Sequence, residues 1–206
     1  MNNEVLVVST GTANTASVLA GLRRAGAQPV LANDPEAIAQ ADRVVLPGVG
    51  AFKAAMNQLN RDGLTEVLCT RIAEGRPTLA ICLGLQLLCE RSEESLGTAG
   101  LGVIKTDVRQ IAGSVRVPQM GWNLIKPDSG CQYLRPGYAY FANSYCLNEV
   151  PDTWQTARTN YGASFVSAVE QGDVLACQFH PELSGAWGAD LLKRWYEGKP
   201  TGGESC

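Results

Sequence analysis

Short apolar runs alternate with amphipathic stretches through the first ninety residues of the chain. The β-branched run Val5–Val8 predicts a strand that is buried on both faces. Val18, Leu19, Leu22 and Ala25 then recur at helical spacing and end at Gly26. Further strands are predicted at 29–31, 44–46 and 78–81, with helices opening at Asp34-Pro35, running from about 51 to 74, and covering 83–90. Strands that alternate with helices indicate βαβ units, and therefore a parallel sheet.

The second half of the chain has a different pattern, in which strand-sized segments are separated by Gly, Pro, Asp or Asn turns. These segments are 103–108, 114–117, 122–126, 138–147, 154–158, 164–169 and 174–179. A last helix is predicted over 191–196, and the Gly-rich segment 199–206 is predicted to be a flexible tail. We therefore expect one domain over 1–198, with an α/β fold of three layers. It would have an open, mostly parallel sheet with flanking helices, plus an additional antiparallel portion in the second half.

Composition narrows the possible functions. The chain has 206 residues, 45% of them hydrophobic, and a formal net charge of −3, which gives no reason to expect nucleic acid or an anionic membrane as partner. No apolar run is long enough to span a bilayer, and Met1-Asn2-Asn3-Glu4 lacks the basic start and apolar run of a signal peptide, so a cytoplasmic protein is predicted. The seven cysteines include no C-x-x-C pair and only one histidine accompanies them. We therefore expect reduced cysteines, no metal site and no cofactor.

The segment Ala80-Ile81-Cys82-Leu83-Gly84 predicts a nucleophile at a sharp turn from strand to helix. Small residues on both sides of Cys82 fit the crowded backbone of such a turn. The N-terminus of the following helix favours a thiolate, and the free N–H of Leu83 could donate to an oxyanion. The alternative is a buried structural cysteine, and the local pattern favours the two readings about equally.

A thiolate nucleophile needs a base, and His180 is the one histidine in the chain. It lies in Gln178-Phe179-His180-Pro181-Glu182, at the end of a predicted strand. Because residues two apart on a strand point to the same side, Glu182 could orient the imidazole of His180. Taken without Cys82, the pair is interpreted more readily as an exposed histidine beside a surface glutamate, and the elbow cysteine shifts that balance toward a base.

A third motif, Pro47-Gly48-Val49-Gly50, follows the strand at 44–46. Its glycines would allow the backbone to approach a ligand and a peptide to flip, which could supply a second oxyanion donor. A plain turn between strand and helix is the alternative. A phosphate loop is excluded, since no G-K-[ST] follows.

Together these motifs resemble the class I (triad) glutamine amidotransferases, and more narrowly the glutaminase subunits of imidazole glycerol phosphate synthase. The narrower resemblance is carried by Arg91-Ser92-Glu93-Glu94-Ser95 and by Pro118-Gln119-Met120-Gly121-Trp122-Asn123. Tyr140-Phe141-Ala142-Asn143-Ser144-Tyr145 also matches, as do the elbow and the segment around His180. The matching stretches follow the family's order along nearly the whole chain.

The resemblance implies a role for each matching position. Cys82, His180 and Glu182 would form the catalytic triad. Gly50 and Leu83 would donate to the oxyanion, with Val49 at the peptide that flips. Glutamine would be held by Gln86, Glu94, Ser144 and Tyr145. A face that carries Asn14, Gln119, Met120, Trp122, Asn123 and Leu183 would meet a (β/α)₈ cyclase subunit in a heterodimer. That subunit would use the released ammonia to make imidazole glycerol phosphate and an aminoimidazole carboxamide ribotide.

Several positions depart from the family pattern. Gln119 and Asn143 stand where the family has histidines, Leu183 where a basic residue usually follows H-P-E, and Ala80 where the elbow usually has glycine. The N-terminal D-Y-G-x-G-N motif is here Ser9-Thr10-Gly11-Thr12-Ala13-Asn14. None of these positions belongs to the triad. They leave two alternatives open, which are a paralogue that supplies ammonia to a different synthase and a regulatory homologue without activity.

Overall fold

The computed structural model describes residues 4–9 and 15–198. The strands are β1 (Glu4–Val8), β2 (Gln28–Ala32), β3 (Val44–Leu46), β4 (Thr78–Ile81), β5 (Cys89–Ser92), β6 (Ile104–Gln110), β7 (Gln119–Pro127), β8 (Gly137–Asn143), β9 (Tyr145–Leu147), β10 (Gln155–Tyr161), β11 (Ala163–Gln171) and β12 (Val174–Cys177). The helices are α1 (Thr15–Arg24), α2 (Pro35–Gln40), α3 (Phe52–Arg61), α4 (Leu64–Ala73), α5 (Leu83–Leu87) and α6 (Gly185–Glu197), and a 3-10 turn covers Pro181–Leu183.

The strands join into one sheet, whose main path runs β2-β1-β3-β4-β12-β11-β10-β7-β8. Neighbours are parallel from β2 as far as β12 and antiparallel beyond it. Strands β5, β6 and β9 form a branch that pairs with β11. The last strand in the chain, β12, therefore lies beside β4, with Cys177 opposite Ile81. This pairing brings two segments about a hundred residues apart to the same sheet edge.

Two hydrophobic cores cover opposite faces of the parallel strands. Val5 and Val7 of β1 belong to the core that α1 and α6 complete, while Leu6 and Val8 belong to the core under α2, α3, α4 and α5. Successive strand residues point to opposite faces, so a continuous apolar run is what a sheet covered on both sides requires. The arrangement confirms the predicted three-layer α/β fold with an added antiparallel portion.

Several predicted boundaries were wrong. Segment 114–117 is not a strand, although its Ser-Val-Arg-Val alternation favours one. It follows Gly113, whose φ is 104°, and runs as an irregular connection in which Val115 and Val117 pack against the core. The predicted helix at 83–90 ends at Leu87, and the chain continues into β5.

Other boundaries moved because of single residues. The helical stretch to residue 74 is divided at Gly63, which has a φ of 67° and is the N-cap of α4. Segment 138–147 is two strands that separate at Ser144, and α6 begins at Gly185 instead of Leu191. The predicted tail at 199–206 and the predicted interface residue Asn14 lie outside the described residues.

Three chemical features bear on function. None of the helices in the described part of the chain is long and apolar enough to cross a membrane. No group of three or more candidate ligands for a metal ion occurs within residues 4–9 and 15–198. Cysteines 69, 82, 89, 131, 146 and 177 are free thiols.

Candidate active site

Cys82 lies in the turn between β4 and α5, in a backbone conformation that side chains rarely adopt. Its φ of 54° makes it the one non-glycine residue with positive φ among those the structure describes. Strained conformations of this kind persist where the surroundings enforce them, and they cluster at functional sites. Here the N–H of Cys82 donates to the carbonyl of Cys177 at 2.7 Å, which extends the pairing of β4 with β12. Cys82 therefore lies in a sharp turn between strand and helix, as predicted, and not within strand β4 itself.

Glycine at position 84 makes this turn possible. A Cβ on Gly84 would clash with the carbonyl oxygen of Leu46, because the elbow packs directly on the end of β3. Gly48 faces the elbow from the other side, and a Cβ there would stand 2.6 Å from the Cβ of Leu83. The two backbones therefore approach as closely as they do only because both residues are glycine.

His180 follows β12 and is fixed by its backbone. Its N–H donates to the carbonyl of Tyr140 at 2.9 Å, and the hydroxyl of Ser184 donates to its carbonyl at 2.6 Å. Its Nδ1 lies 2.9 Å from Oε1 of Glu182, and both side chains are more than nine-tenths buried. The predicted pair of His180 and Glu182 is thus present, although the backbone between them differs from the predicted strand. Glu182 belongs to the 3-10 turn rather than to an extended strand, and Pro181 opens that turn.

The electrostatics of His180 favour the imidazolium. Burial alone would lower its pKa, but hydrogen bonds with the side chains of Cys82 and Glu182 outweigh burial and raise the pKa to about 10. A pKa above the ordinary value of about 6.5 keeps the ring protonated at neutral pH. The side chains of Cys82, His180 and Glu182 therefore form one connected group in which a positive ring lies between a sulfur and a carboxylate.

The loop 47–51 supplies a contact that the sequence did not reveal. The N–H of Leu83, a predicted oxyanion donor, donates to the carbonyl of Gly48 at 3.3 Å. The peptide that faces this donor is consequently Gly48–Val49, one residue earlier than the predicted Val49–Gly50. Gly50 adopts a φ of 103° and so supplies the turn that leads into α3.

Glu94, predicted to hold substrate, bonds to the end of the same loop. Its Oε2 accepts from the N–H of Phe52 at 2.6 Å, at the N-terminus of α3. Ser95 supports the contact, since its hydroxyl accepts from the N–H of Lys53 at 3.3 Å. A carboxylate at this position satisfies an amide that has no partner within the helix. Glu94 therefore anchors the loop 47–51.

A chain of side-chain amides lies behind Cys82. Nε2 of Gln86 donates to the carbonyl of Tyr145 at 3.3 Å and to Oε1 of Gln178 at 3.0 Å. Nε2 of Gln178 in turn donates to Sγ of Cys82 at 3.6 Å. Gln86 was predicted as a site residue, whereas Gln178 was missed. Gln178 follows β12 directly and stands two residues before His180, a spacing that favours a shared side but does not specify the bond to Cys82.

Ser144 and Tyr145 lie where β8 ends and β9 begins. The carbonyl of Ser144 accepts from the N–H of Ile111 at 3.0 Å, and Asn143 donates through Nδ2 to the carbonyl of Tyr145 at 3.0 Å. The carbonyl of Tyr145 thus receives both Asn143 and Gln86, whereas the carbonyl of Ser144 bonds to Ile111. A cavity of about 160 Å³ is lined by Gly48 and Val49 of loop 47–51 and by His180, Glu182 and Leu183.

An exposed apolar face lies outside that cavity. Met120 and Trp122 of β7 are 67% and 56% exposed, and Leu183, which follows Glu182 in the chain, is 43% exposed. Tyr138, at 60% exposed, extends the face onto β8, and the alternation along β8 could have predicted it. Of the other predicted interface residues, Asn123 donates to the carbonyl of Asn160 at 2.9 Å, and Gln119 is buried, with 3% of its surface exposed.

The fold and the group around Cys82 define a class of protein, which comparison with known proteins identifies. The family model for glutamine amidotransferase class-I matches residues 6–197. This chain belongs to that family. Among solved structures, the chain is similar to PurLQS from Thermotoga maritima, with a TM-score of 0.75, 14% identity, and 96% of this chain and 99% of that one covered. A crystal structure of a glutamine amidotransferase gives a TM-score of 0.74 at 19% identity, covering 93% and 96%. At these identities the likeness shows the fold.

Within the family, the chain is similar to subunit HisH of imidazole glycerol phosphate synthase. The Escherichia coli (strain K12) protein is 42% identical over 200 residues, which cover 94% of this chain and 98% of that one. The protein from Yersinia pseudotuberculosis serotype I (strain IP32953) is 41% identical over 201 residues, covering 94% and 99%. The Symbiobacterium thermophilum protein is 38% identical over 195 residues, covering 93% and 92%. These relatives confirm the resemblance that the motifs predicted.

Proposed function

We propose that the chain is the glutaminase subunit of an imidazole glycerol phosphate synthase, acting in histidine biosynthesis in the cytoplasm. The observation that carries the catalytic part is the buried group Cys82–His180–Glu182, with a strained nucleophile and a pKa of His180 raised to about 10. The near full-length similarity to HisH proteins supports the biosynthetic part.

In the proposed reaction, the thiolate of Cys82 attacks the side-chain carbonyl carbon of glutamine. The carbonyl oxygen becomes an oxyanion, and the imidazolium of His180 gives its proton to the leaving nitrogen, so the C–N bond breaks and ammonia departs. Water then attacks the γ-glutamyl thioester while His180 takes a proton from it. The C–S bond breaks, glutamate leaves and the thiolate returns. Glu182 stabilises the imidazolium in each half-reaction.

The orientation of Gln86 supports glutamine as the substrate. Both hydrogens of its amide are engaged, one by Tyr145 and one by Gln178. Toward a ligand, this amide can therefore act only as an acceptor. The carboxamide of glutamine offers N–H donors to such an oxygen, whereas the carboxylate of glutamate would be repelled.

The contact between Leu83 and Gly48 supports a gated enzyme. While the carbonyl of Gly48 accepts from the N–H of Leu83, that donor is not available to an oxyanion. Loss of one oxyanion donor typically raises the barrier by about 3 kcal/mol. Rotation of the Gly48–Val49 peptide would free Leu83 and turn the N–H of Val49 inward. Binding of a partner near Leu183, which lines the same cavity as Gly48, would favour that rotation.

The proposed partner is a (β/α)₈ cyclase subunit that binds the exposed face of Met120, Trp122, Tyr138 and Leu183. The resulting complex would act as a lyase and make imidazole glycerol phosphate with ammonia delivered from Cys82. An exposed apolar patch beside an active site is typical of an interaction surface. Gln119 and Asn143 stand where the family has histidines. This departure favours a second candidate function, in which the chain is a paralogue that supplies ammonia to a different synthase.

A coupled assay tests the proposal. The chain is mixed with a purified cyclase subunit encoded by the same genome, and formation of imidazole glycerol phosphate is followed with glutamine or with ammonium as nitrogen donor. We expect glutamine-dependent synthesis that is lost in Cys82→Ser, while ammonium-dependent synthesis persists. Synthesis by the wild-type mixture with ammonium but not with glutamine would contradict the assigned partner. Glutamine hydrolysis by the isolated chain as fast as in the complex would contradict the gate.

A further inference from the structure

The side-chain amide of Gln178 bonds to Sγ of Cys82. Gln178 is completely buried, and its backbone N–H donates to the carbonyl of Ser167 at 2.8 Å, which holds the residue in register with β11. Its amide lies between two other side chains, with Gln86 at one end and the sulfur of Cys82 at the other. No step of the proposed reaction uses it.

The direction of this amide is fixed by a backbone carbonyl. An amide side chain can usually present either its oxygen or its nitrogen to a neighbour. The carbonyl of Tyr145, however, can only accept, so it must receive the nitrogen of Gln86 at 3.3 Å. The same nitrogen then meets Gln178, which must present its oxygen, at 3.0 Å. The nitrogen of Gln178 is thereby left facing Sγ of Cys82 at 3.6 Å.

We propose that Gln178 is a positioning residue that donates a hydrogen bond to the thiolate of Cys82, with its direction set by Tyr145 through Gln86. This inference rests on the proposed function of the same site. A donor aimed at the sulfur favours the thiolate over the thiol, because it bonds more strongly to the charged form. The imidazolium of His180 also bonds to this sulfur, so the thiolate has two donors. Gln86, which contacts both Tyr145 and Gln178, links substrate binding to the nucleophile.

The proposed relay, in which Tyr145 and Gln86 orient the amide of Gln178 toward Cys82, can be distinguished from ordinary packing of Gln86 and Gln178 by two variants. Gln178→Met keeps the volume and removes the donor, so the thiolate loses a hydrogen bond. Gln86→Met keeps Gln178 but removes the group that orients it, so its amide is free to rotate. If Gln86 acts only by orienting Gln178, its substitution has no further effect once Gln178 has lost its amide. The double variant should therefore behave like Gln178→Met alone. Two independent packing defects would instead add.

The measurement is the rate at which iodoacetamide alkylates Cys82 in the full chain without glutamine, followed from pH 4 to 10 by mass spectrometry of the peptide that carries Cys82. For Gln178→Met we expect the pH of half-maximal rate to rise by about one unit, as loss of one charge-assisted hydrogen bond implies. Gln86→Met should raise it by less, and the double variant should match Gln178→Met. The control is Gln58→Met on α3, which removes an amide bonded to Asp62 and should leave the profile unchanged.

Glutamine hydrolysis with the cyclase present separates this inference from the proposed function. We expect kcat of Gln178→Met to fall about tenfold, with a smaller change in KM. If Gln178→Met has the same alkylation profile and the same kcat as the wild type, the role of Gln178 is overturned, even though the wild type hydrolyses glutamine. A wild-type chain that hydrolyses no glutamine would overturn the proposed function instead. If Gln178→Met does not fold, Gln86→Met decides, since an unchanged alkylation profile there also overturns the relay.

Discussion

Replacing Glu182 by glutamine should weaken His180 as a proton carrier, because it removes a charge while keeping the size and shape of the side chain at position 182. The variant retains an acceptor 2.9 Å from Nδ1 of His180 but loses the negative charge that stabilises the imidazolium. Both side chains are buried, so water cannot replace that charge. A hydrogen bond to a charged group contributes about 1.5–3 kcal/mol. At 1.36 kcal/mol for each pKa unit, the pKa of His180 should fall by about one to two units.

The same free energy sets the expected loss of activity. If it is lost from the transition state, in which the ring must carry its proton to the leaving nitrogen, kcat/KM should fall by about 10- to 150-fold. The assay is glutamate production from glutamine with the cyclase present, measured from pH 5 to 10. Because the pKa of His180 is higher in the wild type, Glu182→Gln should lose the imidazolium at lower pH. The change that this loss causes in the rate of Cys82 alkylation should likewise appear at lower pH.

A matched control keeps this experiment specific. Glu93→Gln removes an exposed carboxylate that pairs with Arg109 at 2.8 Å on the surface, and it should leave both profiles unchanged. The reasoning would be refuted by a Glu182→Gln variant that folds and has wild-type kcat/KM. It would also be refuted by an unchanged pH dependence, since the carboxylate would then not govern the charge of His180.

Three other perturbations should give results of known direction. Because the folded-state pKa of His180 is raised, its stabilising contribution is fully present below about pH 6.5 and is lost as pH approaches about 10. Urea unfolding should therefore show wild type losing stability relative to His180→Gln over that range, and parallel curves would count against the raised pKa. Gly84→Ala should destabilise the protein by about 1–3 kcal/mol in urea, since its methyl group would clash with Leu46, and wild-type stability would contradict the close packing of the elbow. Trp122→Ala should weaken cyclase binding by about 1–3 kcal/mol in calorimetry, whereas Leu96→Ala, which removes an 88% exposed side chain elsewhere, should not. Equal affinities for both variants would exclude the Trp122 face as the interface.

The sequence predicted the parts of the site that depend on local pattern. The elbow around Cys82 follows from small residues between an apolar strand and a helix, and His180 followed because no other histidine could serve as base. The fold class was predictable for the same reason, since β-branched runs such as Val5–Val8 alternate with helical spacing. These features are properties of a few neighbouring residues.

What could not be predicted depends on contacts between distant segments. The bond from Gln178 to Cys82 exists because β12 pairs with β4 across about a hundred residues, and nothing local to Gln178 specifies that pairing. The contact of Gly48 with Leu83 likewise depends on how β3 and β4 end side by side. Segment 114–117 was predicted wrongly because alternation alone does not reveal whether a neighbouring strand is present to pair with it.

Covalent labelling of Cys82 tests the central claim most directly. A diazo-ketone analogue of glutamine is incubated with the chain and its cyclase, and the modified residue is identified by mass spectrometry. The account predicts one adduct, on Cys82, which excess glutamine suppresses and which is absent in His180→Gln on the same time scale. Failure to label Cys82 with the cyclase present, or equal labelling of another free cysteine such as Cys69, would contradict it.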